Sequence, residues 1–411
     1  MSSLLITNAH LLDPADAQVS EASWMEVVDG RIAAYGTGTA PTPGNGTRVI
    51  DAAGSTLMPG LIDAHVHLLL TTLDVREASQ WTPGYATVRA LAEASRMLRR
   101  GFTTVRDVGG ADHGMARALR EGLASGPRLI FGGKALSQTG GHGDLRASSE
   151  DALPCCQTRP SFARIADGVD AVRQAARDEF RKGASHLKIL LSGGVASPSD
   201  EVSAVQYSDD EMRAAVLEAT NHNRYVTVHA YHARAVNRAL RAGVRCVEHG
   251  NLIDDETITL LLDNDAYLVP TLVTYEQMHR FGKDAGLSAA VLGKVDEVRD
   301  GGLVTLERAH NAGVNLVYGS DLLGPLHYAQ LEEFGLRAQV QPPAAILRAA
   351  TTTAARLLNL EGQIGTLHAG AHADLLLLEG NPLEDITVLM HPEERLRYVI
   401  QAGVPLAVAA A

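Results

Sequence analysis

Cysteine is scarce in this chain: Cys155 and Cys156 are adjacent in a loop-like stretch, and Cys246 lies within an apolar run. That set frames neither a disulfide-stapled fold nor a cysteine-type zinc site. It fits a reducing compartment, so a cytoplasmic location is expected. Long apolar runs are missing too. None approaches the roughly 18 residues that a membrane helix needs, and no Lys or Arg precedes Arg31, so neither a spanning segment nor a secretory signal with a basic start is expected. Basic clusters are the third absence: 36 Lys and Arg stand against 48 Asp and Glu, for a formal net charge of -12. A nucleic-acid surface needs grouped cations to displace counterions, so the expected partner is a small-molecule substrate, with no nucleic acid and no membrane. Finally, no Gly-x-Gly-x-x-Gly turn follows the first strand of the central region, which argues against a doubly wound dinucleotide-binding sheet.

What is present suffices for a large core, since 45% of the 411 residues are hydrophobic; that size suits one barrel with an accessory domain. From Ser3 to Leu57 the pattern is short segments, Leu4 to Ile6, Trp24 to Val28, Arg31 to Tyr35 and Val49 to Ile50, broken by turns at Asp29-Gly30 and from Pro41 to Gly46. This reads as small antiparallel sheet. The far end, Gly365 to Val408, looks alike, with Ala373 to Leu378 and Arg397 to Ile400 as strands. The two ends are expected to pair into one small β-sandwich domain, residues 1–57 plus 360–411.

Between them, residues 58–359 repeat strand, loop and helix. The strand candidates are Leu61 to His67, Thr103 to Asp107, Arg128 to Gly132, Ser185 to Leu191, Tyr225 to Ala230, Arg245 to Gly250, Ala266 to Pro270 and Asn315 to Ser320. Eight such runs predict a closed (β/α)8 TIM barrel of the α/β class. The intervening helices are amphipathic: Val88, Leu91 and Leu98 share a face, as do Met212, Ala215, Val216 and Ala219. Ser208, with Glu211 three residues on, forms a capping box at the start of the latter.

In such a barrel the chemistry collects at the carboxyl ends of the strands. Side chains alternate along a strand, so His65 and His67 point the same way. Lys188 sits within His186-Leu187-Lys188-Ile189, His229 ends Val226-Thr227-Val228, His249 follows Val247-Glu248, and Asp321 follows Tyr318-Gly319-Ser320. Taken singly, each has a plain structural explanation: a hydrogen-bonded core histidine, a helix-capping aspartate, a snorkelling lysine. Their joint occurrence at strand ends points to a metal site. A lysine inside an apolar strand is costly unless its charge is removed or paired, and burial lowers its pKa. A neutral lysine amine can react with carbon dioxide to give a carbamate, which turns a cation into a bridging carboxylate.

These residues resemble the amidohydrolase superfamily, and more closely its branch of imidazolonepropionase-related enzymes, Xaa-Pro dipeptidases and ochratoxin-hydrolysing amidases. The resemblance runs through Pro59-Gly60-Leu61-Ile62-Asp63-Ala64-His65-Val66-His67, Thr104-Val105-Arg106-Asp107-Val108-Gly109-Gly110, Lys188, His229, Glu248-His249-Gly250 and Gly319-Ser320-Asp321. It closes with Ala371-His372-Ala373-Asp374-Leu375 and Gly380-Asn381-Pro382-Leu383-Glu384-Asp385. It implies two divalent ions, usually zinc, with His65, His67 and Asp321 on one, His229 and His249 on the other, and carboxylated Lys188 between them. It also implies a homo-oligomer.

Two such ions, roughly 3.5 to 4 Å apart, lower the pKa of a shared water toward neutrality. Asp321 is then the group expected to take its proton and hand it to the departing nitrogen. Three further residues are candidates for substrate contact. His142, in the run Thr139-Gly140-Gly141-His142-Gly143-Asp144, is expected to donate to the carbonyl oxygen, and Tyr231, two residues past His229, to bind a substrate carboxylate. Arg106, at the end of the second strand, is the third, with a structural ion pair as the competing reading. The apolar loop Leu322-Leu323-Gly324-Pro325-Leu326-His327 suits a pocket wall. The expected activity is hydrolysis of the amide bond to a C-terminal amino acid in N-acyl amino acids or dipeptides, N-acyl phenylalanine compounds of the ochratoxin A type and Xaa-Pro dipeptides first. A cyclic-amide hydrolase and a non-catalytic binding protein on the same scaffold are the alternatives.

Overall fold

Strands from both ends of the chain share one hydrogen-bonded sheet. β1 (Ser3–Asp13), β2 (Gln18–Val28), β3 (Arg31–Thr37), β4 (Arg48–Asp51) and β5 (Thr56–Pro59) come first. The computed structural model describes residues 3–146, 150, 160–195, 200–284 and 286–408, and the Cys155-Cys156 pair lies outside them. Antiparallel pairing holds β1 to β2 and β2 to β3, but β4 and β5 run parallel to the two halves of β1, a departure from the all-antiparallel expectation. The sheet is completed by strands from the far end of the chain, β16 (Leu375–Leu378) on β5, then β17 (Leu396–Gln401), then β18 (Val404–Ala407) at the edge. Their buried side chains, Leu375, Leu377 and Ile400, pack with Leu4, Ile6, Met25 and Val27.

The central region is a ring of parallel strands flanked by helices, a TIM-barrel-type α/β fold. In chain order it contains β6 (Leu61–Val66), β7 (Phe102–Asp107), β8 (Arg128–Phe131), β9 (Ala135–Ser137), β10 (Ala163–Ile165), β11 (His186–Leu190), β12 (Tyr225–His232), β13 (Cys246–Leu252), β14 (Tyr267–Val269) and β15 (Asn315–Leu316). After it come β16 (Leu375–Leu378), β17 (Leu396–Gln401) and β18 (Val404–Ala407) of the shared sheet. β6, β7 and β8 form one parallel group, and β9 to β15 the other. Backbone bonds across the two seams, Ser185 N to Phe131 O and Ala64 N to Tyr318 O (each 2.9 Å), join the groups.

The third strand ends at Phe131, close to the Gly132 end read from the sequence, but a further short strand follows that the sequence reading did not include. β8 pairs with β7, and after Gly132-Gly133 the chain resumes as β9, which pairs with β11. A Cβ on Gly132 would lie 2.7 Å from His186 Nε2, and Gly133 has φ +72, so glycine permits the bend. The last barrel strand is also shorter than expected. From Val317 on, its backbone bonds go in turn to Leu268, Ala349 and β6, so no single partner sustains a ladder. The helix Pro83–Arg99 buries Ala86, Ala90, Ala94, Met97 and Leu98, while Val88 is 68% exposed. The small side chains, not the valine, meet the barrel. The capping box at Ser208 and Glu211 is present with both of its hydrogen bonds. Among the described residues no helix is long and apolar enough to cross a membrane.

Candidate metal centre

The six candidate donors converge at the carboxyl end of the barrel. β6 delivers His65 and His67, whose ring centroids are 5.3 Å apart. His65 Nδ1 is 2.7 Å from a Glu248 oxygen, and His67 Nδ1 is 2.9 Å from the Gly109 carbonyl. These acceptors hold the proton on Nδ1 and leave each Nε2 as a lone-pair donor. Both Nε2 atoms turn toward Asp321, at 3.2 and 3.5 Å. The ligand atoms of His65, His67 and Asp321 lie within 4.8 Å of one another, a group that could hold a metal ion.

Asp321 is presented by strained backbone. Its φ is +51, and that of His249 is +72, in the region L residues rarely adopt. The bond from Asp321 N to His65 O (2.9 Å) holds the exit of the last strand against the first. Gly319 is needed there, because a Cβ would fall 2.8 Å from His65 Cβ. Asp63 fastens the same junction from below. Its carboxylate accepts from His65 N, Ser320 N, Ser320 Oγ and Gln330 Nε2.

Lys188, on β11, is 2% exposed, and its Nζ has no hydrogen-bond partner among the described residues. Burial is the main cause that brings its pKa down to about 8, against the pull of Glu248 and Asp321. An orphaned amine is expensive in a protein interior. His229 and His249, from β12 and β13, stand 4.6 Å apart by ring centroid, and His249 is 5.0 Å from His65. Burial, then neighbouring cationic and imidazole groups, keeps both pKa values well below the usual histidine range. They are therefore neutral imidazoles, the form that offers a lone pair. Burial alone would raise the Asp321 pKa, but His65 and His67 hold it down to about 2. Three imidazoles kept neutral by burial, a fourth, His65, held between the carboxylates of Asp321 and Glu248, and a buried amine with no hydrogen-bond partner among the described residues fit a cationic metal centre.

These residues open on a cavity of about 660 Å³, whose wall includes Leu70, Phe162, Val195 and Leu323 beside the polar end. His142 and Tyr231 line it. The His142 ring stacks on His229 (4.6 Å, 16°) and fits only because residue 194 is glycine. Tyr231 packs its ring on His229 and His249. Arg106 does not reach the cavity, contrary to its reading as a substrate contact. It is 0% exposed, with Nη2 on Glu248 (2.6 Å) and Nε on the Ala64 carbonyl (2.5 Å), so the competing ion-pair reading describes it. Its side chain points into the barrel interior, beneath the donors.

Two residues with a place in this geometry were missed. Glu248 links Arg106 to His65 and also accepts from Thr227. The signal was an acid in the middle of Cys246-Val247-Glu248-His249, facing a buried arginine that needed a counter-ion. Tyr275 bonds His249 and Tyr231, and it lies in a helix where nothing local marks it.

The profile of the amidohydrolase family matches residues 56–404. An ochratoxinase of Aspergillus niger is 32% identical over 353 residues, spanning 82% of this chain and 73% of the relative. Among solved structures, a prolidase complexed with N-methylphosphonate-L-proline superposes with a TM-score of 0.96 at 43% identity, covering 99% of this chain and 100% of the other. A Xaa-Pro dipeptidase with methionine bound in its active site gives 0.89 at 30%, with coverage of 99% and 100%.

Proposed function

The chain belongs to the amidohydrolase family and is a hydrolase of amide or peptide bonds; from that premise we propose that it releases a C-terminal amino acid from N-acyl amino acids or dipeptides at a binuclear, zinc-type centre. His65, His67 and Asp321 would hold one ion and His229 and His249 the other, with Lys188, as its carbamate, the further ligand. The observation that carries this reading is the buried Lys188 Nζ, without a hydrogen-bond partner among the described residues, in the wall of a cavity that His67, His229, His249 and Asp321 also line. Bound divalent ions would supply an acidified water and a polarised scissile carbonyl.

The chain's own residues do the rest. Asp321, ionised and pinned between two imidazoles, takes the proton of the attacking water and passes it to the leaving nitrogen, which departs poorly as an anion. His142, on its glycine-flanked loop, bonds the carbonyl oxygen as charge builds there. Tyr231 holds a further substrate oxygen. The apolar wall takes the acyl group or the departing side chain. The prolidase and ochratoxinase relatives make Xaa-Pro dipeptides and N-acyl phenylalanine compounds the first substrates to try.

The test is a panel of N-acyl amino acids, dipeptides and cyclic amides incubated with zinc-loaded protein and ranked by kcat/KM. Linear substrates with a free C-terminal carboxylate are expected to lead. Cleavage of cyclic amides alone would replace this reading with a lactam hydrolase.

A further inference from the structure

The Tyr275 hydroxyl joins two residues of the site. The side chain is buried in the first turn of the helix Leu272–Phe281 and lines the cavity. Its oxygen lies 2.9 Å from His249 Nδ1 and 3.2 Å from the Tyr231 oxygen. Thr271 Oγ1 is 2.8 Å from the same Nδ1. With Nδ1 facing these hydroxyls, Nε2 of His249 is the nitrogen left for an ion, and an imidazole used in that way carries its proton on Nδ1. His249 therefore donates and Tyr275 accepts. The Tyr275 hydrogen is then directed to the Tyr231 oxygen. A phenol oxygen has two acceptor sites and one hydrogen. Tyr231 accepts from Tyr275 and cannot donate back along the same contact, so its own hydrogen is left for the cavity.

We propose that Tyr275 is a positioning residue that turns Tyr231 into a hydrogen-bond donor toward the cavity, so that the substrate atom opposite Tyr231 is an oxygen, carbonyl or carboxylate, and not an ammonium nitrogen. The kind of substrate rests on the amide-hydrolase reading; the chain of hydroxyls does not.

Tyr275→Phe, Tyr231→Phe and the double variant test this in zinc-loaded protein, with calorimetric binding of N-methylphosphonate-L-proline as the first readout and kcat and KM on the best linear amide as the second. Tyr275→Phe is expected to weaken binding about threefold to tenfold, the range of one neutral hydrogen bond. Tyr231→Phe costs at least as much, and the double variant stays within about twofold of Tyr231→Phe alone, because coupled residues are not additive. Bound zinc is unchanged, since Thr271 still holds His249 Nδ1. A double variant showing the product of the two single losses would overturn the proposal, and so would loss of zinc from Tyr275→Phe. A parent that binds the phosphonate yet cleaves no linear amide would remove the amide-hydrolase reading and leave the binding cycle to decide on Tyr275.

Discussion

The shared terminal sheet and the barrel interior are both buried, yet they are built from opposite materials. Leu4, Ile6, Met25, Leu375 and Leu377 belong to an apolar core in the sheet, where buried polar side chains such as Ser23, Thr56 and Asp374 lie beside it rather than forming a cluster of charges. The barrel interior instead buries Arg106, Glu248, Asp63, Lys188 and four of the site's histidines. Apolar burial is non-directional and contributes to stability wherever the shapes fit. Polar burial costs several kcal/mol per ion unless each group meets a partner. Where the barrel's charges are matched, as in Arg106 with Glu248 and Arg337 with Glu333, they fix geometry. Where one is not, as in Lys188, the site has chemistry to do. Substitutions in the two regions should therefore fail differently: the barrel mouth in activity, the sheet in stability.

Lys188→Ala should give the largest effect. Removing it takes away the proposed bridge, so kcat/KM is expected to fall by more than the roughly 10⁴-fold at the upper end of general acid–base effects, with bound metal falling as well. The melting temperature of the metal-free protein should hold or rise, because a costly buried amine is gone. Partial recovery of activity with millimolar acetate or propionate would support the carbamate; full activity without them would end the bridging role. Asp321→Asn comes next. It keeps an oxygen donor but cannot carry a proton, so a drop of about 10²- to 10⁴-fold in kcat is expected, with metal content retained better than activity. Equal loss of both would make Asp321 mainly a ligand.

Glu248→Gln should blur the contrast, because Glu248 is at once a counter-ion and a support for His65. Weakened hold on the His65 ring predicts about 10- to 100-fold lower metal affinity by chelator competition. The buried Arg106, left without its partner, predicts a stability loss of about 3–5 kcal/mol. A variant showing only the first effect would mean that Arg106 finds another acceptor.

The legible part of this molecule follows the same division. His65, His67, Lys188, His229, His249 and Asp321 stood out in sequence because each is a polar break within or at the end of an apolar strand, a local signal that the fold then gathers into one place. The short strand β9 after Gly132-Gly133 was not legible, because its place beside β11 rests on a long-range pairing. Nor was the destination of Arg106, which is set by a glutamate 142 residues away. The parallel placement of β4 and β5 on β1 likewise rests on long-range pairing that no alternation records. Val88 misled for a simpler reason: its period fits the helix, but Ala90 and Ala94 pack closer to the barrel.

Leu375→Ala should show the smallest effect on catalysis and so gives the cleanest measure of the comparison. Leu375 is fully buried on β16, paired with Pro59 of β5 on one side and Ile400 of β17 on the other, and it belongs to the core formed by strands from both ends of the chain. Truncation leaves a cavity that the neighbouring strands cannot close without breaking their ladders, so a loss of about 2–5 kcal/mol is expected in denaturant unfolding. Its strand pairs with β5, which runs into β6 and the metal ligands, so the backbone route from this position to His65 is short. If that route transmitted strain, kcat/KM per folded molecule would fall with stability. Burial of apolar surface is tolerant of such a gap, and the His65 backbone is separately held by Asp63 and Asp321. The folded fraction of Leu375→Ala is therefore expected to keep kcat/KM within about twofold of the parent, as substitutions with no shared partners behave additively.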